Sequence, residues 1–209
     1  MALSQLLSRD QILGLHYFGS VTRANTRLRS LIELGLVDRL ETPFFNQSLY
    51  VSTRRAMEVV GEKISPLIGA RVGSPRFVQH ALTVTNTRIA LMTKSGGDWR
   101  FEQQLWRKFD RFETRPDGLL IASQPTFVEV DMGHVSPAKF KAKLRAYEAL
   151  ARSEACQDLY GFSSFRLLTV TTGSLRARHL RHLTQSGCGF ESRVQTFAEL
   201  GVTPINPFS

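Results

Sequence analysis

A chain of 209 residues is long enough to bury a sizeable core, either as one large domain or as a small domain joined to a medium one. Its 42% hydrophobic and 22% charged residues exclude an intrinsically disordered protein, and no apolar run is long enough to cross a bilayer as a helix. A net charge of +9 and a pI near 10.1 point to a polyanionic partner. Nucleic acid is favoured over a membrane surface, because no strongly amphipathic basic helix pairs with exposed aromatics.

The opening "MALSQLLSRDQ" has no basic start, apolar stretch and cleavage pattern of a secretion signal, so a cytoplasmic location is expected. Cys156 and Cys188 stand alone, without a CxxC or a Cys/His cluster, and are expected to be free core thiols. "SRDQ", Ser8 to Gln11, fits a capping box and predicts a helix through Phe18, ended by Gly19. Ser20 caps the next helix, where Val21, Ala24, Leu28, Leu31 and Ile32 recur as a buried face. The opposite face carries Thr22, Arg23, Asn25, Thr26, Arg27 and Arg29, with no acid until Glu33.

Guanidinium and carboxamide groups on such a face can enter a major groove, where Arg reads guanine and Asn reads adenine. Arg23, Asn25, Thr26, Arg27 and Arg29 are therefore the candidate DNA-binding residues. The plain alternative is a packing helix with a solvated basic face. "LVDRL", a turn around "PFFNQ", and "SLYVS" give two short strands, completing the order of a winged helix-turn-helix. "MALSQLL" is too short for a full preceding helix. The module is then shortened at its start, or completed by the rest of the chain or by a second copy in a homodimer. Thr53 caps a helix over "RRAMEVVGEKI", and "SPLIGARVGSPR" has breaker composition. The expected organisation is a winged helix over 1–64, a linker over 65–76 and an α/β domain over 77–209.

"FVQHALTVTNTRIALMTK" is consistent with a helix that opens the second domain, and Gly96 and Gly97 stop it. Trp99 to Phe109 reads as a helix, with Trp99, Glu102, Trp106 and Phe109 in one stripe, or as a strand; either way Glu102 is a candidate acid. "DGLLI" and "TFVEVDM" read as strands, the second with Phe127, Glu129 and Asp131 on one side and Val128 and Val130 on the other. If the two pair as a hairpin, Asp117 converges on Glu129. Oxygen ligands on rigid strands are what Mg²⁺ prefers. The plain alternatives are a turn acid before Gly118 and an exposed strand face beside lysines. After Ser136 and Pro137 a helix presents Phe140, Leu144, Tyr147 and Ala151, with Lys143 at the stripe's edge, placed to reach a carboxylate or phosphate or else to snorkel to solvent. "FRLLTVTT" is a further strand, and Ser174 caps a basic helix. The class is α/β (α+β), a mixed sheet flanked by helices.

"RPDGLL", "FVEVDMGH" and "KLRAYEAL", preceded by "HALTVTNTRIAL" and followed by "LLTVTTGSLRARHL", together resemble the replication-relaxation family of plasmid and mobile-element proteins. The likeness covers roughly residues 10 to 185. It implies a winged helix joined to a PD-(D/E)xK nuclease-like domain, DNA as partner, and a part in plasmid replication, DNA relaxation or mobilisation. Carried over by position, Asp117 is the first metal-binding acid and Glu129 the second. The nuclease pattern places a catalytic lysine two residues later, where this chain has Asp131, an anion where a cation is needed. Lys143 would supply the displaced lysine, with Glu102 as an outer ligand, or would form a salt bridge with Asp131 in a retired site. Three functions stay open: a DNA-binding accessory or regulatory protein, a Mg²⁺-dependent DNA endonuclease, and a scaffold that docks a relaxase or replication protein. Asp131 favours the first.

Overall fold

The computed structural model describes residues 2–42, 45–60, 74–185 and 189–205. Most of the expected linker, and Cys188, lie outside them. Two compact units result, Met1–Ile89 with Pro204–Ser209, and Ala90–Thr203. Among the described residues no helix is long and apolar enough to cross a membrane.

The first unit holds β1 (Leu6–Ser8), α1 (Arg9–Gly14), α2 (Val21–Glu33), β2 (Val37–Thr42), β3 (Phe45–Ser52), α3 (Arg54–Val60) and the greater part of α4 (Pro75–Ser95). The opening residues, too short for a full preceding helix, make a single 3-10 turn (Ala2–Ser4) and then a strand. β1 pairs antiparallel with β3, Leu6 opposite Val51 and Leu7 opposite Tyr50, giving the sheet order β1-β3-β2. Alternation along a strand sends successive side chains to opposite faces. Leu6 joins Leu49, Val51, Val78, Ala81 and Leu82, while Leu7 joins Ile12, Leu28, Val37 and Tyr50. Burying each leucine contributes about 2–3 kcal/mol.

The capping box at α1 forms as expected: the Gln11 N–H donates to Ser8 Oγ at 3.3 Å and the Ser8 N–H to Gln11 Oε1 at 3.2 Å. The helix stops at Gly14, short of Phe18, because His16 turns into the left-handed region at φ 55°. Ser20 caps α2 by accepting from the Arg23 N–H at 3.2 Å. The buried face of α2 is narrower than its periodicity predicts. Ala24 and Leu28 are buried, but Val21 is 51% and Ile32 37% exposed. The helix lies on a small cluster of β1, α1, β2 and β3 side chains, which covers one line of residues and leaves the flanks in solvent.

The second unit comprises the remaining elements. These are β4 (Asp98–Phe101), α5 (Glu102–Leu105), β5 (Arg107–Phe109), β6 (Phe112–Thr114), β7 (Gly118–Ile121), β8 (Thr126–Asp131), α6 (Pro137–Arg152), α7 (Ala155–Tyr160), β9 (Arg166–Thr171), α8 (Ser174–Thr184), β10 (Glu191–Thr196) and α9 (Phe197–Leu200). Its five-stranded sheet runs β10-β9-β8-β7-β4; β10, β9 and β8 are parallel, and β7 and β4 antiparallel. The fold is thus mixed α/β, a mixed sheet flanked by helices. The stretch from Trp99 to Phe109 is neither one helix nor one strand. It runs strand, single helical turn, strand, so Trp99 is buried and Trp106 is not.

Gly118 is required where it stands, since a Cβ there would come within 1.8 Å of the Trp99 ring packed across from β4. Phe127 of β8 centres the core, edge-on to Tyr160 and Phe165 at 5.0 Å between ring centres. Phe140, Leu144, Tyr147 and Leu150 of α6 and Ala177 and Leu180 of α8 close over it. Gly173, not Ser174, occupies the cap position of α8, and no side chain caps that helix. Cys156 is a free thiol in the same core, and burial pushes its pKa up to about 11, so it is inert at neutral pH.

Candidate functional site

β7 and β8 pair antiparallel with Gly118 opposite Val128, which sets Asp117 across from Glu129. Asp117 is no loose turn acid. Its N–H donates to the Val128 carbonyl at 3.0 Å, and its Oδ2 accepts from the Val130 N–H at 2.7 Å. Glu129 points to α6, where Lys143 and Tyr147, four residues apart, share a face. The Tyr147 hydroxyl donates to Oε1 at 2.7 Å, and the Lys143 ammonium pairs with Oε2. Ser136 sets the register of α6 by accepting from the Lys139 N–H at 3.3 Å, with Pro137 in the first turn.

The Glu129 side chain is 6% exposed and that of Lys143 43%. Burial pushes the Glu129 carboxyl above its ordinary pKa; Lys143 opposes this and the nearby Asp117 adds to it. Burial works against the Lys143 ammonium too, but Glu129, Asp117 and Glu102 together hold its pKa above the usual lysine value. Burial, then the Glu129 charge, holds the Tyr147 phenol well above its ordinary value, so it stays a hydrogen-bond donor. Glu102 opens α5 and pairs with Arg115 Nε at 2.5 Å. Its charge reaches Lys143. The four candidate residues Asp117, Glu129, Lys143 and Glu102 therefore share one electrostatic neighbourhood.

Asp131 belongs to a separate network. Its Oδ2 accepts from Arg176 Nε at 2.7 Å and from the Thr171 hydroxyl at 2.8 Å, and its Oδ1 from Arg176 Nη2 and the Gly133 N–H, each at 3.2 Å. Arg176 also donates to the Val135 carbonyl at 2.6 Å. Burial opposes ionisation, but the Arg176 and Thr171 hydrogen bonds outweigh it and hold the carboxyl below its ordinary pKa. The expected Asp131–Lys143 salt bridge does not form, since each charge has found another partner. An exposed strand face is ruled out as well, because every residue of β8 is buried.

These bonds bear on whether the acids suit Mg²⁺, which needs carboxylate oxygens open to it in near-octahedral geometry, with room for water. An Asp117 oxygen is held by a backbone amide, and both oxygens of Glu129 and of Asp131 already accept hydrogen bonds. Among the described residues no three or more His, Cys, Asp or Glu side chains are arranged to hold a metal ion. The donor set as folded does not fit.

Lys143→Met leaves Glu129 buried with only Tyr147 as a side-chain donor, and is expected to cost about 2 kcal/mol at neutral pH, less than a fully buried pair because the lysine is half-exposed. A carboxyl with a raised folded pKa favours the folded state below its unfolded pKa and loses that contribution as pH rises through the folded value. The deficit should therefore shrink in mild acid and in the Glu129→Gln/Lys143→Met double variant. Denaturant melts at two pH values measure both effects.

Tyr147, Thr171, Arg176 and Arg115 carry no signal in the sequence that marks them as site residues. Tyr147 reads as core stripe, and only its spacing of four from Lys143 hints at a shared target. Arg176 has no local signal. It reaches Asp131 because parallel pairing of β8 with β9 sets Thr171 beside Asp131, and α8 begins just after that strand.

The second candidate surface is α2, where Arg23, Asn25, Thr26, Arg27 and Arg29 are all exposed. It stands as a ridge between two clefts. Asn25 and Arg29, with Arg39 and Gln47 of the β2–β3 hairpin, line one of about 500 Å³. Arg23, Thr26 and Arg27, with Thr22, line another of about 580 Å³.

Fold and sites together define an α/β protein with an exposed basic helix on one unit and, on the central sheet of the other, a buried glutamate paired with a half-exposed lysine of α6. A model of the family described as replication-relaxation matches residues 2–164, and the chain belongs to that family. Membership points to a role in replication or relaxation. Comparisons with curated proteins and with solved structures gave no match.

Proposed function

We propose that this protein is a DNA-binding accessory or regulator of the replication, relaxation or mobilisation of a plasmid or other mobile element. In this reading the first unit is a winged helix that docks α2 in the major groove of duplex DNA, and the second is a PD-(D/E)xK-like domain that has given up cleavage. The observation that carries it is the α2 ridge. Six neutral hydrogen-bonding or cationic side chains, Thr22, Arg23, Asn25, Thr26, Arg27 and Arg29, stand exposed on thirteen residues, with no acid before Glu33 at the helix end and a cleft on either flank to receive a phosphate strand.

Loss of cleavage is supported by Asp131, which holds Arg176 where the nuclease pattern has a free lysine, and by Lys143, whose ammonium is spent on Glu129. The convergence of Asp117, Glu129, Lys143 and Glu102 favours a second reading, a Mg²⁺-dependent endonuclease, which requires Lys143 to release Glu129.

Supercoiled plasmid incubated with the protein in Mg²⁺ and then Mn²⁺ separates the two. The expected result is retarded mobility with no nicking. Nicking that disappears in both Asp117→Ala and Glu129→Ala would replace the binding role with the endonuclease.

A further inference from the structure

The hairpin of β5 and β6 carries chemistry that neither α2 nor the acid–lysine pair uses. Trp106, just before β5, is 49% exposed. Its indole N–H donates to Glu113 Oε1 at 2.8 Å, which fixes the plane of the ring. Lys108 Nζ lies over the ring, 5.8 Å from its centre, and the Arg115 guanidinium lies over it at 5.4 Å, so a base reaches the ring by displacing the exposed Lys108 side chain from it. Arg107 lies over Tyr160, and Arg111, at the hairpin turn, over Phe112. From Trp106 to Arg115 the cations Arg107, Lys108, Arg111 and Arg115 face the acids Asp110 and Glu113, with Glu102 paired to Arg115.

We propose that this hairpin binds single-stranded nucleic acid, with an unpaired base stacked on Trp106 and the backbone phosphates drawn along Lys108, Arg111 and Arg115. An exposed aromatic set among cations matches unpaired nucleic acid, because a base within a duplex hides the π-face that an aromatic ring needs. Tryptophan gives the largest such face, and its pinned N–H lowers the entropy lost on stacking. The site lies wholly within the second unit and does not depend on duplex binding by α2.

The chain has two tryptophans, and Trp99 is buried, so quenching of tryptophan emission reports on Trp106. Titration of the full chain with oligothymidylate, and separately with oligouridylate, should quench that emission, and the tighter arm tells DNA from RNA. Trp106→Leu should abolish the quenching and weaken binding of a labelled oligonucleotide about tenfold. Trp106→Tyr, which keeps a stacking ring, should retain most of the affinity. Duplex affinity should be equal in all three proteins. Unquenched emission at saturating oligonucleotide, or equal oligonucleotide affinity in Trp106→Leu and the parent, would overturn the proposal. So would a matching loss of duplex affinity in Trp106→Leu, since the effect would then not belong to an unpaired base.

Discussion

Arg176→Met is expected to cost about 4 kcal/mol of folding stability at neutral pH, within the range for breaking a buried ion pair from one side. The Asp131 and Arg176 side chains are 4% and 19% exposed, so water cannot take the place of the lost guanidinium. The substitution also strips a donor from the Val135 carbonyl and leaves Asp131 with Thr171 and the Gly133 N–H alone. A carboxyl with a depressed folded pKa stabilises the fold above its unfolded pKa and loses that contribution as pH falls through the folded value. The variant's deficit should therefore be complete at neutral pH and narrow in acid, where Asp131 is protonated with or without Arg176. Arg176→Met combined with Asp131→Asn should recover part of the loss, since an amide can be buried without its charge partner. Urea melts of the two variants at neutral and acid pH decide it. A loss below about 1 kcal/mol, typical of a surface pair, would show Asp131 to be solvated and so open to a metal ion.

That network explains how much of the site is legible in the sequence. The pairing of "DGLLI" with "TFVEVDM" is readable because both are short apolar runs joined by a turn, and it brings Asp117 opposite Glu129. Lys143 is readable as an oddity, a charge at the edge of an apolar helical stripe. What no periodicity encodes is partner choice among charges distant in the chain. Lys143 stands fourteen residues from Glu129 and twelve from Asp131, and both acids project from the same face of β8. Arg176 settles the matter by holding Asp131 from α8. In the fold, a lone three-residue strand such as Leu6–Ser8 carries no periodic signal and exists only through its pairing with β3. Val21 and Ile32 fail as core residues for the complementary reason. Helical spacing says which residues share a face, and the size of the surface opposite says how many of them are covered.

The combined variant Arg23→Ala, Arg27→Ala and Arg29→Ala should weaken duplex DNA binding at least about a hundredfold, each arginine counting as a phosphate partner or a base reader worth about 1–3 kcal/mol. The flanks of α2 allow a finer expectation. Arg29 faces the cleft it shares with Arg39 and Gln47 of the hairpin, while Arg23 and Arg27 face the other. An arginine seated on a phosphate displaces a counterion from the DNA, so the triple variant should lower the slope of log affinity against log salt by about 3. Arg29→Ala alone should remove about one unit of it. Asn25 and Thr26 act differently, since a neutral side chain releases no counterion. Asn25→Ala should flatten discrimination between DNA sequences while leaving the salt slope unchanged. Stability should hold in all of these variants, because the replaced side chains are exposed and alanine favours the helix. Fluorescence anisotropy with a labelled duplex over a series of salt concentrations measures both quantities. An unchanged slope in the triple variant would return α2 to the status of a solvated packing helix.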